Sequence, residues 1–444
     1  MNVFEIVKVI QDKITNTTSK EELIYLAKSL ENLNLGQVKT VSTYTDLLNI
    51  KYPIEGELYF VDNEERLYYG FGSRWILVFN RSQQIAYSWG SGGFAQLGDN
   101  ASSNRSSPVS ITGGFLDWAE IAAGYKHSIA LRADGTLWAW GTNNYGQLGT
   151  NESSTRSSPV SVVGGFTDWV RLTTGTYHSL ALRSNGTLWA WGFNAAGELG
   201  DGTTTNRSSP VSVLGGYTDW VFAEAAPNSA TFSLGIRSNG TLWAWGDNSF
   251  YQLGNGTTDP RSSPALVSGG FTDWISASAG LAHGVGLRSN GTLYAWGFNT
   301  AGQIGDGTGS PRSVPVLVSG GFTDWSSVNA GGSHNLGVRS NGTLWAWGSN
   351  TNGRLGDGTT SSRSSPVSVV GGFTDWISAS AGGSHSLGVR SNGTLWAWGL
   401  NSSGRLGDST ITSRLSPVSV VGGFTDWISA SAGNSHSMGL RSVN

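Results

Sequence analysis

A tryptophan–glycine pair returns at a nearly fixed step through most of this chain. It occurs at Trp89, Trp140, Trp191, Trp245, Trp296, Trp347 and Trp398, with steps of 51, 51, 54, 51, 51 and 51 residues. A second series, Trp118, Trp169, Trp220, Trp274, Trp325, Trp376 and Trp427, keeps the same step. The three additional residues therefore fall between Trp220 and Trp245, in segment 224–231. A repeat of this length marks one small unit stacked many times, because a single unit cannot bury its apolar face alone.

Each unit reads as four short strands. Residues 394–399 (Thr-Leu-Trp-Ala-Trp-Gly) alternate and are aromatic, the pattern of a half-buried strand. Residues 416–421, 376–380 and 385–390 supply three more, and Asn392-Gly393 joins the last of these to the next tryptophan strand. Asn-Gly is a strong hairpin signal, expected here as a turn with both residues at positive φ. Glycine at 64 of 444 residues, 20 tryptophans and only 13% charged residues favour turns and strands over helices. Four strands in each of seven units predict an all-β, seven-bladed β-propeller of 51-residue repeats. The chain stops at Arg441-Ser-Val-Asn444, where the hairpin would begin, while the first unit starts at Arg81-Ser-Gln-Gln84. Residues 436–441 are thus expected to pair with 85–89 and close the ring without an exposed edge.

The first 80 residues differ. Six of the seven lysines lie within the first 51 residues, and after Arg81 the only lysine is Lys126. This shift divides the chain into a head, 1–80, and a propeller, 81–444. Helical spacing covers 3–14 and 19–33, with a capping box at Ser19-Lys-Glu-Glu22. Strands are expected at 56–61, 66–69 and 74–79, making the head a small α+β attachment or oligomerisation domain.

Composition excludes several classes. There is no apolar run of about 18 residues for a membrane span. The N-terminus carries Glu5 and Lys8 and has no signal-peptide core. There is no cysteine, which removes disulfides and thiolate metal sites. A net charge of −3 without a basic run argues against nucleic acid as a partner. No nucleophile elbow, phosphate loop or zinc motif is present. No catalytic residue, metal or cofactor is expected.

All six histidines, His127, His178, His283, His334, His385 and His436, share one repeat position, and Phe232 fills it in the remaining unit. A residue repeated once per unit meets the same surroundings each time, so structural hydrogen bonding is expected rather than metal ligation. The repeated tryptophans, Trp140, Trp191, Trp245, Trp296, Trp347 and Trp398 among them, are expected to glue adjacent blades. Two arginine series and one aspartate series read as inter-blade pairs and loop caps. The Asn-Gly-Thr sequons are accounted for by the hairpins. Chemistry and recognition need a place that differs from its copies. The divergent positions are Phe94, Tyr125, Lys126, Tyr145, Tyr177, Phe250 and Tyr251, in loops of the earlier blades, and these are the candidate binding residues.

The repeat resembles the regulator of chromosome condensation repeat family. The residues that carry the likeness are Gly-Gly-Ser-His385, the following Leu-Gly-Val strand, Asn392-Gly393, Trp398-Gly399-x-Asn401 and Gly404-Arg-Leu-Gly407. Versions occur in all seven units. The likeness implies the propeller and leaves function open, since such propellers include exchange factors, chromatin binders and a plant photoreceptor. Photoreceptive members cluster tryptophan beside Gly-Trp-Arg-His, which is absent here. The head resembles N-terminal modules of tailed-phage virion proteins, carried by Val41-Ser-Thr-Tyr-Thr-Asp-Leu-Leu48, residues 56–61, Arg66-Leu-Tyr-Tyr-Gly70 and Trp75.

Together these resemblances imply a non-enzymatic virion protein, a tail, fibre or capsid-associated component located in the particle. Its head would bind other virion proteins, as a homo-oligomer in the particle. Its propeller would present loops to a host-surface glycan or protein. The alternatives are a cellular interaction propeller of exchange-factor type and a polysaccharide-acting enzyme.

Overall fold

The computed structural model describes residues 38–41, 58–61, 66–71, 74–80, 83–227 and 231–443. In the head, Val38–Val41 pairs in parallel with Leu58–Val61, which continues antiparallel to Arg66–Phe71 and Arg74–Asn80. What is described there is one four-stranded sheet. The helices expected over 3–14 and 19–33 lie outside the described residues.

From residue 83 onward the strands form seven four-stranded antiparallel sheets. Blades 1 to 6 begin at Trp118, Trp169, Trp220, Trp274, Trp325 and Trp376. Blade 6 is typical, with strands Trp376–Ala381, His385–Arg390, Leu395–Gly399 and Arg414–Ser419. Its fourth strand starts two residues earlier than the sequence pattern suggests. Register shifts between Ala397 and Gly399, and this irregularity draws Arg414 onto Gly399. Blade 7 is a composite: Trp427–Ala432 and His436–Val443 from the C-terminus continue into Gln83–Gly90 and Arg105–Ser110. Its seam is an antiparallel ladder from His436 opposite Gly90 to Val443 opposite Gln83. The first strand of each blade lies beside the first strands of both neighbours, and blade 7 beside blade 1. The first strands therefore ring a central axis.

The hairpin between the second and third strands differs from the expected turn. Gly393 has φ +74°, but Asn392 is not at positive φ. Gly393 N–H donates to the Arg390 carbonyl, and Arg390 N–H to that of Thr394. This is a three-residue loop that ends on a left-handed glycine. The Asn392 side-chain oxygen accepts both the backbone N–H and the hydroxyl of Thr394. Asparagine is selected for this local acceptor, a role Asp134 fills in blade 1. A Cβ on Gly393 would stand 2.0 Å from the Thr425 carbonyl oxygen.

The apolar cores lie between blades. Ile129, Leu131, Leu137, Leu148 and Val162 of blade 1 enclose Trp169 and Trp191 of blade 2. Trp398 is fully buried, and its indole N–H donates to the Arg354 carbonyl of the preceding blade at 2.9 Å. Trp89 of blade 7 makes the same bond to the Arg405 carbonyl of blade 6. Burying each such ring contributes about 4–6 kcal/mol as an upper bound, and the N–H bond fixes the blade angle.

The arginine–aspartate pairs are within blades, contrary to the inter-blade role expected for them. Arg390 pairs with Asp375 at 2.8 Å because the register sets Arg390 opposite Trp376, the next residue. The Arg390 guanidinium also stacks 3.9 Å from the Phe373 ring. In the other series Arg363 reaches back six residues to Asp357.

Candidate functional site

Antiparallel connectivity sorts the loops by face. The turn between the first and second strands and the loop between the third and fourth emerge at one end of each blade; the hairpin and the inter-blade connection emerge at the other. The histidines begin the second strand just beneath the first face. His385 Nε2 lies 2.9 Å from the Ser437 hydroxyl of the next blade, and His436 Nε2 2.9 Å from Ser128 across the closed ring. His127, His178 and His334 bond Ser179, Ser233 and Ser386 in the same way, and His283 bonds the Asn335 side-chain oxygen.

The serine fixes the tautomer. Ser437 donates its only proton to the Arg405 carbonyl at 2.8 Å, so it must accept from His385. Nε2 therefore carries the hydrogen. The carbonyl oxygen of Asn335 makes the same demand of His283. Burial holds the histidines far below their usual range, to about 3 for His127, His178 and His436 and about 4 for His283. Burial, then the neighbouring arginines, also pushes His334 and His385 well down. The one unit without histidine explains itself: Phe232 faces a neighbouring blade whose serine position is Gly284, which offers no hydroxyl. Among the described residues no group of three or more His, Cys, Asp or Glu side chains is placed to hold a metal.

Five of the seven divergent candidates converge on this loop face. Tyr125 and Tyr177 follow the first strands of blades 1 and 2, with ring centroids 5.5 Å apart. Tyr145, from the blade 1 outer loop, sits 5.2 Å from Tyr177. Lys126 extends its ammonium 3.9 Å from the Phe94 ring of blade 7 and 5.3 Å from Tyr125. The result is a continuous arc from Phe94 to Tyr145 over blades 7, 1 and 2. Phe94 and Tyr145 are 44% and 37% exposed, so the arc is open to a partner.

Phe250 and Tyr251 are not part of the arc. Phe250 is exposed and packs 5.3 Å from Phe298. Tyr251 has φ +65° at the turn position that is glycine in most blades, as at Gly146 and Gly197. It is held there by its N–H to the Asn248 carbonyl, which makes its role one of backbone geometry.

Two features escaped the sequence reading. Phe193 closes the arc, 4.9 Å from Tyr145 and 6.3 Å from Tyr177. The other is the residue before the leucine of the outer loop. It is glutamine in four blades (Gln96, Gln147, Gln252 and Gln303), Glu198 in blade 2, and Arg354 and Arg405 in blades 5 and 6. The signal in the sequence is the departure of these three from the glutamine of their siblings. Glu198 is fully buried; one carboxyl oxygen accepts the Ala196 N–H and the other has no partner among the described residues. Burial, with a smaller push from Asp247, raises its carboxyl to about 7.

The closed ring of four-stranded blades, locked by indole-to-carbonyl bonds, defines a seven-bladed β-propeller whose distinctive surface is one loop face. The chain belongs to the regulator of chromosome condensation (RCC1) repeat family, whose repeat matches residues 85–131, 134–182, 185–222, 239–287, 290–338, 341–389 and 392–440. It is 31% identical over 301 residues to the ultraviolet-B receptor UVR8 of Arabidopsis thaliana, covering 66% of this chain and 68% of that one. It is 30% identical over 239 residues to the human E3 ubiquitin-protein ligase HERC2, covering 53% of this chain but only 5% of HERC2. The solved structure of Prp20p from Saccharomyces cerevisiae superposes with a TM-score of 0.72 at 21% identity, over 82% of this chain and 93% of that one. The last likeness is one of fold.

These relatives are cellular proteins, which overturns the virion function and the particle location implied by the head. The head strands drew that resemblance, yet they cover a small part of the chain, whereas the repeat covers nearly all the rest. The cellular interaction propeller is the alternative that fits.

Proposed function

We propose that this chain is a non-enzymatic protein-interaction propeller, with residues 81–444 as the recognition unit and 1–80 as a separate unit. The observation that carries the reading is the arc of Phe94, Lys126, Tyr125, Tyr177, Tyr145 and Phe193. Seven equal blades offer equal surfaces, so a single binding site has to come from loops that differ. Aromatic rings supply large contact area at low entropic cost, and a lysine at the rim adds orientation. Membership in a family of regulators supports a binding role. The solved structure of Prp20p is described with its binding to Gsp1p and histones; this chain's own partner is defined by its arc.

The test is site-specific photo-crosslinking from position 145 in cells, with position 391, an exposed serine of the blade 6 hairpin at the opposite end, as control. A discrete adduct at 145, lost when Tyr125 and Tyr177 are both changed to Ser, is the expected result. Equal adducts from both faces would overturn it.

A further inference from the structure

From the loop face we infer that Arg354 and Arg405 form an anion-binding site for a single oxyanion, a carboxylate or a phosphate. This deepens the reading of the face as a recognition surface and rests on it.

The argument starts from charge pairing. Among the described residues, every propeller arginine except these two and the exposed Arg261 pairs with an aspartate or glutamate. Arg354 and Arg405 are nevertheless the most buried of the set, at 8% and 5% exposed. Arg354 donates only to backbone carbonyls, from Nε to Thr351 at 3.0 Å and from a terminal nitrogen to Gly383 at 3.1 Å. Arg405 donates to the Asn434 carbonyl at 3.2 Å and the Ser402 hydroxyl at 3.4 Å. Its Nε–H is buried with no partner among the described residues.

Burying a cation without a counter-charge is costly. The fold does not require it, because four sibling blades place glutamine at the same position and accept a loop N–H with it, as Gln303 does from Ala301. A charge retained where a neutral side chain suffices calls for an anion from outside.

Placement supports the same conclusion. Gly383 and Asn434 belong to consecutive turns around the axis, tied by the Gly383 N–H to the Gly433 carbonyl. Asn434 N–H in turn reaches the Gly124 carbonyl, on the turn that carries Lys126. Arg354 and Arg405, from the outer loops of blades 5 and 6, thus reach the turns of blades 6 and 7, and the next turn carries Lys126 and the aromatic arc. Burial lowers both guanidiniums to about 10, Arg354 adding a smaller push on Arg405, and both remain cationic. An oxyanion held by these guanidiniums would supply the counter-charge that the fold does not, as guanidinium forks do for carboxylate and phosphate.

The experiment compares the full-length protein with the double variant Arg354→Gln/Arg405→Gln, which copies the sibling blades and so retains the fold. Thermal unfolding is followed with inorganic phosphate, with a hexaglutamate peptide and with a hexaglutamine peptide, each against sodium chloride at equal ionic strength. At about tenfold excess over the dissociation constant the midpoint should rise by about 2 °C for the wild type and not for the variant. A rise with phosphate alone assigns a free phosphate; a rise with hexaglutamate assigns an acidic segment of a protein partner. Wild type and variant responding equally to every anion would overturn the site. The photo-adduct at position 145 is read on the same variant, so a failed anion site with an intact adduct leaves the interaction surface standing.

Discussion

Acid should unfold this propeller far earlier than carboxylate protonation would, and the histidine ring sets the size of the effect. A histidine whose folded pKa lies below its unfolded value of about 6.5 makes the native state bind fewer protons than the unfolded chain. Stability is therefore intact above about pH 6.5 and is lost as pH falls toward the folded value. For His127, His178 and His436, held at about 3, and His283, at about 4, lowering the pH to about 5 costs about 2 kcal/mol each, or about 8 kcal/mol together. His334 and His385 act in the same direction. That loss is comparable to the whole stability of an ordinary domain, about 5–15 kcal/mol. Glu198 opposes it by one proton, since its raised carboxyl is protonated in the native state. Unfolding at about pH 5.5 should accordingly take up about four to five protons per molecule. Asp306 and Asp357, held below their usual range in part by hydrogen bonds from threonine and arginine, add a separate loss only below about pH 4. The assay is urea unfolding from pH 7.5 to 4.5 by tryptophan fluorescence, with proton uptake measured in lightly buffered solution. The pair His385→Phe/Ser437→Gly, copied from Phe232 and Gly284, should lower the uptake by about one proton. A flat midpoint between pH 7 and 5, or uptake near zero, would refute the buried neutral ring.

Other perturbations isolate single contacts. Glu198→Gln should stabilise the protein by about 3 kcal/mol at about pH 8 and little at about pH 4.5, because the raised carboxyl loses stability as pH climbs through 7; a gain independent of pH in urea melts would contradict this. His385→Ala should cost roughly 1–3 kcal/mol, the expense of an unmade buried hydrogen bond, with no response to chelators, and a native metal found by elemental analysis would speak against it. Gly393→Ala combines positive φ with a Cβ 2.0 Å from a carbonyl oxygen, so it should cost more than the roughly 1–2 kcal/mol of left-handed strain alone. Deleting residues 427–444 removes two strands of blade 7 and exposes two sheet edges; a melting curve like that of the full chain would show that the seam contributes nothing.

The sequence by itself determined the number of blades, their strand order and where structural residues would recur. Those follow from local physics repeated seven times: alternation makes strands, and tryptophan at a fixed step has to find the same pocket each time. It also picked out Tyr125, Lys126, Tyr145, Tyr177 and Phe94 as departures from the pattern. Only the tertiary structure decided that these five meet in one arc while Phe250 and Tyr251 stand apart, because loops adjacent around a ring are about 50 residues distant in the chain. It alone showed that the histidines bond to the neighbouring blade, and why Phe232 goes with Gly284: each member of the pair sits on a different sheet. The hairpin asparagine and the arginine–aspartate pairs were misread for a related reason. A residue type names a capacity to hydrogen-bond, but the register of the strands chooses the partner. Arg354 and Arg405 stand out in sequence where sibling blades carry glutamine, but only the tertiary structure shows that they are buried beside backbone carbonyls with no carboxylate at hand.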